Sequence, residues 1–125
     1  MEYEQLKDLT CQLLKLNRQA AKVYQRCRET GEKGDFYTQV KPFADQVKEL
    51  SEKWEQEAML WVHTVKPDNL FPIQIKNTSE NLQMVSVRAF FPDTSFKRFT
   101  NHVRSVEFIL ERVLENITGK PPGAH

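Results

Sequence analysis

The chain reads as an all-α protein, an antiparallel up-down-up-down four-helix bundle. Three observations predict this. Apolar residues recur every three or four positions in four separate stretches, and no stretch alternates with the period of two of a strand. Glycine or proline punctuates each gap between them. Connections this short make sequence neighbours run antiparallel, and heptad-like spacing favours crossing angles near ~20°.

The first helix is expected from about Glu2 to Glu29, with Leu6, Leu9, Leu13, Leu16, Ala20, Val23 and Cys27 as its apolar stripe. Gly31 and Gly34 follow, and glycine suits the position just past a helix end. Asp35 is a candidate N-cap for the second helix, because its carboxylate can accept the unpaired amides of the first turn. The stripe of that helix is Phe36, Val40, Phe43, Val47, Leu50, Trp54, Ala58, Trp61 and Val65. Pro42 lies inside it and would press on the carbonyl of Thr38. The apolar phase runs on through Pro42, so a kink or a broken first turn is expected there.

Lys66 to Asn69 closes the second helix, and Leu70-Phe71-Pro72 connects to the third, expected from about Ile73 to Phe91. Ile75, Thr78, Leu82, Val85 and Ala89 form its stripe, and Pro92 stops it. The last helix carries Phe96, Phe99, Val103, Val106, Leu110, Val113 and Ile117, and Gly119 ends it. Residues 1–119 are thus one domain, with Lys120 to His125 expected as a mobile tail. A length of 125 residues suits one domain with a core of its own.

Charge and composition narrow the function by elimination. Eighteen Lys and Arg face seventeen Asp and Glu, so no charge excess draws the chain to nucleic acid or anionic membrane. Lys97, Arg98 and Arg104, with Arg88 before them, form a modest basic group. Glu107, Glu111 and Glu115 follow and oppose a nucleic-acid role. The longest apolar run, Ala58 to Val62, is far short of the ~20 residues that cross a bilayer. The acidic start, Met1-Glu2-Tyr3-Glu4, lacks the order of a signal peptide. Cys11 and Cys27 fall on one helix roughly 24 Å apart, too far for a disulfide, which fits a reducing, cytoplasmic setting.

A four-helix bundle raises the carboxylate-bridged di-metal site, which needs Glu-x-x-His on two helices. The residues three before His63, His102 and His125 are Leu60, Phe99 and Pro122, so that site is not encoded. No cysteine pair has zinc spacing, and no metal or cofactor is expected. The histidines read as solvated surface residues. Cys11 is expected exposed and Cys27 buried, from their opposite phases. Glu49, Glu52, Glu55 and Glu57 read as a solvated face, and no catalytic residue is nominated.

Apolar residues off the stripes are more informative. Met84, Val87 and Phe91 repeat at helical spacing on the side opposite the core set, and Phe108 lies opposite Val103 and Val113. Scattered surface apolars, cover from the connectors, and a contact surface for a protein partner or a second copy all account for them. Met84, Val87, Phe91 and Phe108 are the candidate interaction surface. A non-enzymatic interaction module is the leading reading. A binder of a small apolar ligand, with Trp54, Trp61 and Phe43 lining the bundle interior, is the alternative.

The run Asp35-Phe36-Tyr37-Thr38-Gln39-Val40-Lys41-Pro42-Phe43, followed by Trp54 and Ala58, carries a family resemblance. Gln74-Ile75, Glu80-Asn81 and Lys97-Arg98-Phe99 extend it over nearly the whole chain. By order and spacing the sequence resembles the YppE-like proteins of Bacillus and related Firmicutes. The resemblance implies a cytosolic four-helix bundle of uncharacterised role and brings no catalytic residues with it.

Overall fold

A computed structural model describes residues 3–119, so the expected tail, Lys120 to His125, lies outside the described residues. Four α-helices appear: α1 (Glu4–Thr30), α2 (Lys41–Val65), α3 (Pro72–Arg88) and α4 (Phe96–Thr118). They close a ring in chain order. α1 packs on α2 and α4, and α3 completes the other two sides. The pairing is antiparallel: Asn17 meets Val103 while Tyr24 meets Thr94, and Thr10 meets Trp54.

Local chemistry sets the ends. Gly31 and Gly119 both adopt φ 74°, and their N–H groups donate to Cys27 and Glu115 carbonyls at 2.8 Å. This left-handed cap is the conformation glycine adopts without steric cost. Asp35 caps as expected, accepting from the Thr38 N–H at 2.9 Å and its hydroxyl at 2.8 Å. These donors hold its carboxyl below the usual range. Residues Phe36–Val40 form one π-helical turn, with the Val40 N–H reaching the Asp35 carbonyl at 3.0 Å. Pro42 then falls in the first turn of α2, directly after the π turn. The broken first turn expected around Pro42 is this π turn.

The stripes make the core. Leu6, Leu9, Leu13, Ala20, Val47, Trp54, Ala58, Ile75, Leu82, Val85, Val106, Leu110 and Val113 are all buried in one cluster. Phe36, Val65 and Phe96 depart from their stripes and are exposed, each lying in an end turn of its element. Conversely Leu14, Val62 and Ile109 are buried off the stripes, since each helix touches two neighbours and hides a sector wider than one seam.

Several polar groups pair across the seams. The Trp54 indole donates to Thr10 Oγ1 at 3.0 Å, and that hydroxyl donates to the Leu6 carbonyl at 2.7 Å. Gln83 donates to Ser51 Oγ at 3.1 Å between α2 and α3. At the end carrying the α1–α2 and α3–α4 loops, the Gly34 N–H donates to the Phe90 carbonyl at 2.8 Å.

Candidate functional site

The four residues of the sequence-derived surface do not converge. Val87 and Phe108 are exposed, whereas Met84 is half-buried and Phe91 packs against the core. Extending the helical phase of α3 puts Phe91 on the outer face. α3 ends at Arg88, however, and the following turn swings the ring inward. Val87 sits one residue before the end of α3, next to the loop that opens α4. Phe108 lies twelve residues into α4, about 18 Å along its axis. The Arg112 guanidinium of the same helix lies over one face of its ring, 5.5 Å from the centroid.

The alternative ligand site in the bundle interior is packed: Trp54, Trp61 and Phe43 are all buried, and Phe43 meets Phe90 edge-on with centroids 5.8 Å apart. The structure shows a groove elsewhere, on the α1–α4 seam, of about 480 Å³. Ala21 and Tyr24 from α1 and Phe96, Phe99 and Val103 from α4 make its apolar lining. Gln25, Arg28, Glu29 and Thr100 supply the polar positions. This volume lies within the roughly 300–1,000 Å³ of small-molecule sites.

Tyr24 organises the groove. Its ring stacks on Phe99 with centroids 4.1 Å apart, and its hydroxyl donates to the Thr94 carbonyl. The hydroxyl also accepts from Arg28 Nη1 at 3.1 Å. The Arg28 guanidinium therefore lies over two rings, 5.7 Å from the Tyr24 centroid and 5.1 Å from that of Phe96. Sequence reasoning missed this site. Its two walls come from segments some seventy residues apart, and no linear motif joins Arg28 to Phe96. The one local signal is the basic pair Lys97-Arg98 at the start of α4, where cations oppose the helix dipole.

One helical turn or more below the groove the same seam is ionic. Arg18 donates from Nε and Nη2 to Glu107 Oε2 at 2.9 and 2.7 Å, and lies 3.6 Å from Glu111. The hydrogen bonds to Glu107 raise the Arg18 pKa further. Partial burial, followed by Glu107, pushes the Glu111 carboxyl above its ordinary value against the pull of Arg18.

The other sequence candidates stay apart. His63 is exposed, but His102 is half-buried, because its position on α4 leans toward the packed side. His125 lies outside the described residues. Cys27 is buried and its thiol is pushed up by that burial. Cys11 is half-buried and not fully exposed as expected, since buried Leu14 next to it widens the hidden sector of α1. Glu49 pairs with Lys53 at 3.3 Å on the open face of α2. Among the described residues, no three His, Cys, Asp or Glu side chains gather closely enough to hold a metal ion. No described helix is long and apolar enough to cross a membrane.

Comparison with known proteins agrees with this fold. A crystal structure of a protein of unknown function from Listeria innocua is 32% identical, with a TM-score of 0.87, and the match covers 91% of each chain. The crystal structure of YppE from Bacillus subtilis is 23% identical, with a TM-score of 0.89, over 95% of this chain and 97% of that one. A Staphylococcus aureus structure is 18% identical, with a TM-score of 0.83, over 90% of this chain and 96% of that one. The family model described as a bacterial domain of unknown function, DUF1798, matches residues 10–117. With nearly the whole bundle inside that match, the chain belongs to the DUF1798 family.

Proposed function

We propose that this domain acts by binding and not by catalysis, as a cytoplasmic protein-interaction module. The observation that carries the reading is the set of large apolar side chains left open at the end bearing the α1–α2 and α3–α4 loops. Phe36, Tyr37 and Phe96 are 55%, 77% and 59% exposed there, and Phe36 and Tyr37 hold each other edge-on at 5.1 Å. Rigid exposed aromatics offer large contact area at low entropy cost. Two free cysteines separated along one helix support the reducing compartment.

The test compares proteins retained from lysate by the natural chain and by a Phe36→Ser, Tyr37→Ser, Phe96→Ser variant. Unchanged melting would show the variant fold intact. The expected result is a partner held by the first and lost by the second. Identical retention by both would refute this surface, and a Val87→Asp, Phe108→Asp variant examines the surface singled out by sequence in the same assay. The α1–α4 groove favours a second reading, capture of a small apolar ligand. Native mass spectrometry of freshly purified protein tests it through the mass of any retained molecule.

A further inference from the structure

We propose that the α1–α4 groove is a site for a small apolar carboxylate, an aryl or short alkyl group ending in an anion. The inference rests on the second reading above and names its ligand chemistry. The apolar floor of Tyr24, Phe96 and Phe99 calls for a hydrocarbon part. The charge at the mouth calls for an anion. Arg28 is anchored by one nitrogen to the Tyr24 hydroxyl and laid over two rings, so its fork is already oriented. Its remaining N–H groups are available for a carboxylate, the partner that guanidinium geometry fits in bidentate fashion.

Among the described residues no carboxylate forms an ion pair with Arg28. The ion pairs among the described residues belong to Arg18, Lys41 and Lys53. Glu29, the carboxylate on the groove wall, accepts from Gln25 Nε2 at 3.3 Å and does not pair with Arg28.

A second, independent feature points the same way. The first turn of α4 contains no acidic residue but carries Lys97 and Arg98. Cations at a helix N-terminus oppose the macrodipole, so this turn departs from the stabilising pattern. Lys97 and Arg104 flank Thr100 at the i−3 and i+4 positions, and Thr100 lines the groove. The groove is thus lined by a stacked guanidinium and by the first turns of a helix whose start carries excess positive charge. An anion bound there relieves both. From Ala21 to Arg28 the α1 wall runs about 10 Å, which suits a short molecule and not an extended polymer.

The test is a proton–nitrogen correlation NMR titration of the full chain with three probes of one shape. These are phenylpropionate, phenylpropanol and phenylpropylamine. The expected result is movement of the Ala21, Gln25, Arg28 and Thr100 amides, with the acid binding about tenfold more tightly than the alcohol and the amine weakest. Arg28→Gln should abolish the preference for the acid over the alcohol, and movement of the same groove amides by the alcohol reports an intact groove. Added salt should weaken the acid and spare the alcohol in the natural protein, with no variant needed. Equal affinity for acid and alcohol, or acid binding untouched by Arg28→Gln, overturns the anion assignment while the groove reading stands. Groove amides unmoved by all three probes overturn both.

Discussion

Trp54 offers a sharp test of the packing, because its volume and its hydrogen bond can be removed separately. The ring is fully buried, and its indole N–H donates to Thr10 Oγ1 at 3.0 Å across the α1–α2 interface. Trp54→Ala empties a large aromatic site, which costs about 3–5 kcal/mol. Thr10→Val keeps the shape but strands a buried N–H, at about 1–3 kcal/mol. Thr10 Oγ1 spends its own proton on the Leu6 carbonyl at 2.7 Å, so that carbonyl also loses a side-chain donor in the variant. Trp54→Phe deletes the donor together with part of the ring, and a double-mutant cycle cancels the volume loss common to both backgrounds. A double-mutant cycle of Trp54→Phe with Thr10→Val should therefore show coupling of about 1 kcal/mol. Urea unfolding followed by far-ultraviolet circular dichroism gives all four corners. A Trp54→Ala loss below about 1 kcal/mol would put the ring at the surface and refute the helix phase. Zero coupling with a large Trp54→Ala loss would keep the phase and remove the bond.

Three other expectations follow from single features. A Cβ on Gly34 would meet Phe90 Cδ1 at 2.5 Å and Cβ at 3.0 Å, and Phe90 is itself held by Phe43. Gly34→Ala should cost about 1–3 kcal/mol in chemical unfolding, and an unchanged midpoint would show that the loops separate easily. A thiol reagent in native buffer should modify half-buried Cys11 well before buried Cys27, and equal rates would contradict their placement. Glu111 has a folded-state pKa raised above 4.5, so its protonated form favours the fold. Its contribution is complete below that unfolded value and lost as pH rises through the folded one. The natural protein should lose stability relative to Glu111→Gln over that window in pH-dependent melts, and parallel profiles would refute the raised value.

Much of the fold was legible because a helix imposes a period on its own sequence. Leu13, Trp54, Leu82 and Leu110 could be assigned to the core from spacing alone, and Gly31, Asp35 and Gly119 act within one turn of where they stand. Such features depend on neighbours three or four residues away. Phase extrapolation failed where an element ended. Phe91 turned inward because α3 stops at Arg88, and Phe36 turned outward from a π turn that no periodicity anticipates.

Gly34 marks the boundary between the two kinds of information. As sequence it is one more glycine after a helix; in the structure it is the only size that fits beneath Phe90, fifty-six residues later. The groove belongs to the same class. Arg28 and Phe96 are each ordinary on their own helices, and only the antiparallel closure of α1 on α4 lays the guanidinium over the ring. The sequence by itself determined which residues form helices and which stripe each helix buries, since those choices depend on local spacing and on the transfer of apolar surface from water. Tertiary packing decided which polar and aromatic groups meet across a seam, because such contacts depend on the register between elements far apart in the chain.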